Sequence, residues 1–233
     1  MVAWQAFGES VAVWVRIDES LVRRSELPVL GSRAMLVASE LHASPVGAYR
    51  SLGLFAPVRM GLRLGFSAML MVVDGPEARR VTTSRWGLPT RTGKLRWVST
   101  SDQVIVEWPE PGFVLTAQIG GIARLPVILP ARLLQHRTDG PVVVNGSVRG
   151  RTRRAMVSIT TDDDDLAGLE GLHRGHHVAG LRMVTRPARR PVAVAFSLEA
   201  PITTEGVRPM VGAHRSAAGV ASPLPQRAYS SDG

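Results

Sequence analysis

The most informative pattern of the sequence lies at residues 64–94, which read LGFSAMLMVVDGPEARRVTTSRWGLPTRTGK. Its first ten residues are apolar and rich in side chains that favour strands, and the Asp74-Gly75-Pro76 turn signal follows them. Pro76 suits the first turn of a helix, so residues 76–85 are predicted to form a short helix. A strand, a turn and a short helix therefore lead into the sequence WGLPTRTGK.

Similar strand patterns recur along the chain, separated by turn signals such as Pro109-Glu110-Pro111-Gly112. A second short helix is predicted at residues 18–24. Many strands joined by short links favour a barrel or a sandwich over repeated strand–helix–strand units. The other predicted strands lie at residues 11–17, 34–39, 95–99, 104–108, 114–119, 142–148, 155–160, 177–184 and 192–198.

The composition predicts one globular domain at residues 1–199 and a flexible tail at 200–233, which is rich in Ser, Ala, Gly and Pro. No apolar run approaches the roughly 20 residues that a membrane-spanning helix requires, and the first residues do not resemble a secretory signal. The chain has no cysteine, which excludes disulfides, thiol chemistry and cysteine-bound zinc. A cytoplasmic location is expected.

The formal net charge of +9 raises the possibility of a nucleic-acid partner. Of the 28 lysine and arginine residues, only Lys94 is a lysine. The basic residues are scattered along the chain, and an arginine-rich, lysine-poor composition is typical of a GC-rich coding sequence. A nucleic-acid partner is therefore less expected than this compositional explanation.

Residues 44–58, SPVGAYRSLGLFAPV, combine with the stretch at 64–94 into a pattern that resembles the acetoacetate decarboxylase family. In that family a Gly-x-Tyr-x-Glu segment leads to a proline and then to a strand that ends near an aspartate. A short helix and a Gly-Arg-Glu-x-x-Gly-x-Pro-Lys-Lys motif follow. The spacing from Tyr49 to Pro57, and from Asp74 to Pro89, fits this order. The resemblance spans about residues 28–198.

The resemblance implies a mainly β fold, an antiparallel β-barrel with a few short helices, that binds a small oxo acid in its cavity and forms a homo-oligomer. It also implies decarboxylation through a Schiff base on a lysine whose pKa is lowered. In this chain the reactive lysine falls on Thr90, the neighbouring lysine on Arg91 and the glutamate on Ser51. The Arg-Glu of the motif falls near Thr83 and Ser84. Threonine cannot form an imine, so the usual mechanism is not expected.

Two hypotheses about the site remain open, beside a third hypothesis in which the protein binds nucleic acid. In the first, the chain binds a small carboxylate through Tyr49, Ser51, Thr90 and Arg91, since an arginine can hold a carboxylate with two hydrogen bonds. In the second, Lys94 is a relocated Schiff-base nucleophile, because it lies four residues beyond Thr90 and shares its face on an extended segment. The simpler interpretation makes Lys94 a solvated turn residue. No cofactor is expected.

Other clusters of polar residues are not predicted to bind metal. His173, His176 and His177 flank Arg174, which opposes a cation, and Asp162-Asp163-Asp164-Asp165 lacks the spacing of a calcium loop. No metal site is expected. A run of alternating arginines shares one face of a strand and is either an anion pocket or the outer surface of a barrel: Arg149, Arg151 and Arg153.

Overall fold

A computed structural model describes residues 3–23, 25–121, 125–137 and 140–189, which fall within one compact unit, Met1–Val192. Strands dominate these residues, and the helices are α1 (Glu19–Arg23), α2 (Pro76–Trp86) and a 3₁₀ turn at Ala167–Leu169. The strands are β1 (Trp4–Arg16), β2 (Arg33–Ala43), β3 (Tyr49–Met60), β4 (Arg63–Val73), β5 (Thr90–Thr92), β6 (Arg96–Ser99), β7 (Gln103–Trp108), β8 (Phe113–Ile119), β9 (Leu125–Arg137), β10 (Gly140–Thr160) and β11 (Gly171–Thr185).

All eleven strands belong to one sheet, in which the main path runs β11-β1-β2-β3-β4-β9-β10-β8-β7-β6. Strand β10 also pairs with β11, so the pairings from β11 through β4 and β9 to β10 return to their starting strand. Most pairs are antiparallel, but β4 pairs in parallel with β5 and, at Phe66 and Leu133, with β9. The mainly β prediction is confirmed, and the sheet is mixed instead of wholly antiparallel.

Two hydrophobic cores lie on opposite faces of the strands β1–β3, because successive side chains of a strand point to opposite sides. The side of these strands that carries Val11, Leu36 and Leu54 is called here the first face, and it packs into the larger core together with β6–β8. The second face carries Leu41 and Tyr49 into a smaller core. Cross-strand register extends both faces to the neighbouring strands.

Helix α2 covers part of the second face. Pro76 occupies its first turn, and Gly87 ends it in the left-handed conformation with φ 68°. The helix buries Val81 and Trp86 in the smaller core, where the Trp86 ring meets the edge of the Trp4 ring at a centroid distance of 5.4 Å. The turn after Gly87 then leads directly into β5, which holds Thr90 beside β4.

The predicted helices at 18–24 and 76–85 are confirmed in α1 and α2, each within two residues of its ends. The predicted strands at 142–148 and 155–160 are parts of the single strand β10. Strands β3, β5 and β9 were not predicted. The predicted strand at 192–198 and tail at 200–233 lie outside the described residues, and the division into domains stays a prediction. No described helix is long and apolar enough to span a bilayer.

Candidate functional site

Three serines form a continuous row on the second face. Ser10 lies opposite Ser39 on β2, and Ser39 lies opposite Ser51 on β3. All three residues are between 5% and 8% exposed, and no described residue forms a hydrogen bond with their hydroxyl groups. Among the described residues the enclosed side-chain atoms without a partner are Trp4 Nε1, Gln135 Nε2, His177 Nδ1 and Thr185 Oγ1, so the serine oxygens themselves are not enclosed. Water or a ligand can therefore reach this row.

Tyr49 and Thr90 lie on the same face as this row. Tyr49 is two residues from Ser51 on β3, and Thr90 lies opposite Met71, which in turn lies opposite Gly53. Burial, and to a lesser degree the negative charge of Asp74, raise the pKa of the Tyr49 phenol far above its usual value. Tyr49 therefore stays protonated and can donate a hydrogen bond at any physiological pH.

A groove of about 430 Å³ lies between α2 and β5. Arg79 and Arg80 supply its positive charge, and the Arg80 guanidinium also binds the Glu77 carboxylate at 2.7 Å. Arg79 forms no ion pair with any described carboxylate. Hydroxyl groups and one proline complete the lining: Pro76, Thr83, Ser84, Thr90 and Thr92.

The groove brings together three positions that the sequence comparison aligned with the family motif. Thr83 and Ser84 fall near the Arg-Glu of that motif, Thr90 falls on its reactive lysine, and all three line the same space. The sequence alone did not indicate Arg79 and Arg80 as members of the site. Their position in the first half of α2, which turns back into β5, is the signal that could have identified them.

Arg91 and Lys94 lie apart from this groove. Arg91 is the middle residue of β5, so its side chain points to the first face, where the guanidinium carbon lies 4.4 Å from the centre of the Trp108 ring. Lys94 is exposed, its backbone N–H is 3.5 Å from Glu110 Oε1, and it does not line the groove. Three of the four predicted ligand-binding residues therefore share one face, and Arg91 does not.

A charged network on the first face was not predicted. Glu9 interrupts the apolar alternation of β1 and accepts hydrogen bonds from Trp97 Nε1 and from His177 Nε2, both at 2.9 Å. The bond with His177 lowers the pKa of the Glu9 carboxyl, against the opposing effect of its burial. The isolated acidic residue in an apolar strand is the only sequence signal for this network.

The network continues on the first face to Glu40 of β2, which lies opposite Glu9 of β1. Arg50 joins Glu40 at 2.9 Å to Asp74 at 3.3 Å, and the Asp74 carboxylate also accepts the backbone N–H of Arg50 at 2.7 Å. Glu9, Glu40 and His42 place their ligand atoms within 4.8 Å of one another, as a metal site would. The guanidinium of Arg50 on Glu40 opposes a cation there.

The three clustered histidines do not converge on a common point. His177 is buried beside Glu9, whereas His176 points to the other face and approaches Thr152 Oγ1 at 3.4 Å. His173 Nε2 lies 3.0 Å from the carbonyl oxygen of Leu169. Among the alternating arginines, Arg153 donates to the carbonyl oxygens of Gly121 and Ser101, so its role is to hold two loops.

The fold is that of the acetoacetate decarboxylase-like proteins. One solved acetoacetate decarboxylase matches with a TM-score of 0.57 and 16% identity over 81% of this chain and 89% of that chain. The enzyme from Legionella pneumophila matches with a TM-score of 0.57 and 15% identity over 82% and 88%. The enduracididine biosynthesis enzyme MppR, solved with pyruvate, matches with a TM-score of 0.55 and 14% identity over 81% and 90%.

These likenesses confirm the resemblance at the level of the fold. No family model and no curated protein sequence matches the chain. The identities of 14–16% show a common architecture and carry no active-site residue across.

Proposed function

We propose that this protein binds a small carboxylate of the oxo-acid class in the groove between α2 and β5, without forming a Schiff base. The observation that carries the proposal is the lining of the groove, which combines the positive charges of Arg79 and Arg80 with the hydroxyl group of Thr90. Guanidinium groups bind carboxylates with two parallel hydrogen bonds. Hydroxyl groups can bind the oxo group or the second carboxylate oxygen.

The comparisons support the ligand class. MppR is solved with pyruvate, an oxo acid, and also with the condensation product of pyruvate and imidazole 4-carboxaldehyde. In this proposal Ser51 and Tyr49 extend the polar surface from the groove along the second face. Arg91 acts from the other side of β5, where it covers Trp108 and holds the strand in place. The groove residues bind the acid through hydrogen bonds and charge, without a covalent bond.

Direct binding tests this proposal. Pyruvate and acetoacetate are titrated into the full chain and followed by ligand-observed NMR or calorimetry. Arg79→Ala should weaken binding about tenfold, because it removes a charged hydrogen-bonding partner. Arg23→Ala, which changes an exposed arginine on α1, is the matched control and should bind like wild type. Failure of both acids to bind the wild type, or equal losses in both variants, would refute the groove.

The alternative is an active lyase that uses Lys94 as its nucleophile. The argument for it is the position of Lys94 four residues beyond Thr90, and trapping with borohydride in the presence of acetoacetate separates the two functions. A reduced adduct on the wild type that is absent from Lys94→Ala would establish the lyase reading. Binding of the acid without an adduct is the result we expect, because Lys94 does not line the groove.

Three further features belong to the proposal. The closed circuit of strand pairings from β11 to β10 supports a barrel. A homo-oligomer, implied by the family resemblance, is tested by light scattering of the purified chain. The cytoplasmic location stays a prediction.

A further inference from the structure

Four arginines that are distant in sequence lie together on the solvent side of β1, β2, β10 and β11. Arg16 pairs directly with Arg33 across β1 and β2. Arg174 on β11 lies opposite Met156, and Arg154, two residues earlier on β10, lies opposite His176. The alternation of these strands directs all four guanidinium groups away from the larger core, and all four residues are exposed. We call this surface the arginine face.

The four strands contribute no negative charge to the arginine face. Strands β10 and β11 contain no acidic residue, and the only carboxylates of β1 and β2 are Glu9 and Glu40. Both point to the opposite face, toward the charged network. In the described part of the chain, none of the four arginines forms an ion pair. Like charges placed opposite each other, as at Arg16 and Arg33, cost stability unless a partner neutralises them.

An exposed aromatic ring lies in the middle of these charges. Trp14 is two residues from Arg16 on β1, on the same side of the strand, and is 45% exposed. Its ring lies 6.1 Å from the ring of Phe66, at an angle of 45°, which leaves the indole supported from one side. A large aromatic side chain at the surface of a strand contributes little to the core and offers a flat stacking surface.

We infer that the arginine face binds single-stranded nucleic acid, independently of the carboxylate groove. Arginines bind phosphate groups with two hydrogen bonds, and bases stack on exposed aromatic rings. A duplex keeps the faces of its bases inside the helix, so it would leave Trp14 unused. Neighbouring strands lie about 4.8 Å apart, and alternate residues of a strand about 6.7 Å apart, so the charges are spaced to follow a flexible phosphate backbone.

The test measures the fluorescence anisotropy of a labelled oligothymidine of about fifteen nucleotides, titrated with the full chain. If each arginine neutralises one phosphate, the affinity should fall about fiftyfold between roughly 50 and 200 mM salt. The double variant Arg154→Glu/Arg174→Glu should bind at least about tenfold more weakly at low salt. Trp14→Ala should lose about fivefold or more through the missing stacking contact.

A matched control lies on the opposite side of β10. Arg149→Glu/Arg151→Glu makes the same change in charge, but these side chains alternate with Arg154 and point to the first face. This control should stay within about twofold of wild type, with circular dichroism confirming that both doubles fold. Equal losses in the two doubles would overturn the inference, since net charge alone would then explain binding. No binding by wild type at low salt, or equal competition by polyglutamate or by anionic lipid vesicles, would overturn it as well.

Discussion

The polar side chains on the two faces of strands β1–β3 differ in their hydrogen bonding. On the first face the charged side chains bind one another: Glu9 takes donors from Trp97 and His177, and Arg50 joins Glu40 to Asp74. On the second face the row of Ser10, Ser39 and Ser51 has no hydrogen bond from a described residue, although the row is buried.

This difference separates structure from function within one sheet. The ion pairs and hydrogen bonds of the network stabilise the position of the strands, although His177 Nδ1 is buried there without a described partner. The hydroxyl groups of the serine row bind no described residue and are not enclosed, so water or a ligand can bind them. The second face, which continues to Tyr49 and Thr90, is therefore the face on which binding is expected. The first face, on the opposite side of the same strands, stabilises the sheet.

The largest effect should come from breaking the paired side. Glu9→Ala removes the acceptor of both Trp97 Nε1 and His177 Nε2 and should lower the free energy of unfolding by about 3 kcal/mol. Urea denaturation of the purified variant measures this loss. Glu19→Ala, which removes an exposed carboxylate from α1, is the control and should cost less than about 0.5 kcal/mol. Equal costs would mean that the network on the first face does not stabilise the fold.

Acid should weaken the same network in a defined direction. The bond with His177 lowers the pKa of Glu9 in the folded chain below the ordinary value of 4.5. The stabilisation is therefore complete above about pH 4.5 and is lost as the pH falls through the folded pKa. Denaturation between about pH 7 and pH 3 should show a steeper loss for wild type than for Glu9→Gln, which does not titrate there. Parallel curves would contradict the role of Glu9.

The sequence predicted the fold better than it predicted the site. Asp74-Gly75-Pro76 marked the start of α2, because turn signals are local. The strand β9 was missed, since its two prolines and its largely exposed side chains do not alternate like those of a half-buried strand. The long strand β10 was divided in two because its central arginines and glycines interrupt the apolar pattern.

The site depends on contacts that no local pattern contains. Tyr49, Ser51 and Thr90 were predicted through a family motif, and the register of β3, β4 and β5 places them on one face. Arg91 was grouped with them from its position in the motif, but the alternation of β5 sends it to Trp108. Sequence spacing can indicate which residues share a strand, whereas the partner across the sheet follows from tertiary packing.

A smaller effect on stability is expected for Arg91, which lies on β5 with its side chain on the first face. Arg91→Ala removes the guanidinium that lies over the Trp108 ring and should lower the free energy of unfolding by about 0.5–1 kcal/mol. Its affinity for pyruvate or acetoacetate should stay within about twofold of wild type, because the side chain points away from the groove. Urea denaturation and the binding titration measure the two quantities. A tenfold loss of affinity with unchanged stability would move Arg91 into the binding site.

The smallest change in stability should come from the unpaired side. Ser51→Ala removes a hydroxyl that no described residue binds, so the free energy of unfolding should change by less than about 0.5 kcal/mol, or rise. Ser67→Ala is the matched control, since the Ser67 hydroxyl donates to Gln135 Oε1 at 3.3 Å in an equally buried place. That control should cost about 1–2 kcal/mol, because it leaves the oxygen of Gln135 without its donor. If Ser51→Ala were the more damaging of the two, the hydroxyl row would be structural, and the two faces of the sheet would not differ in the way their hydrogen bonds indicate.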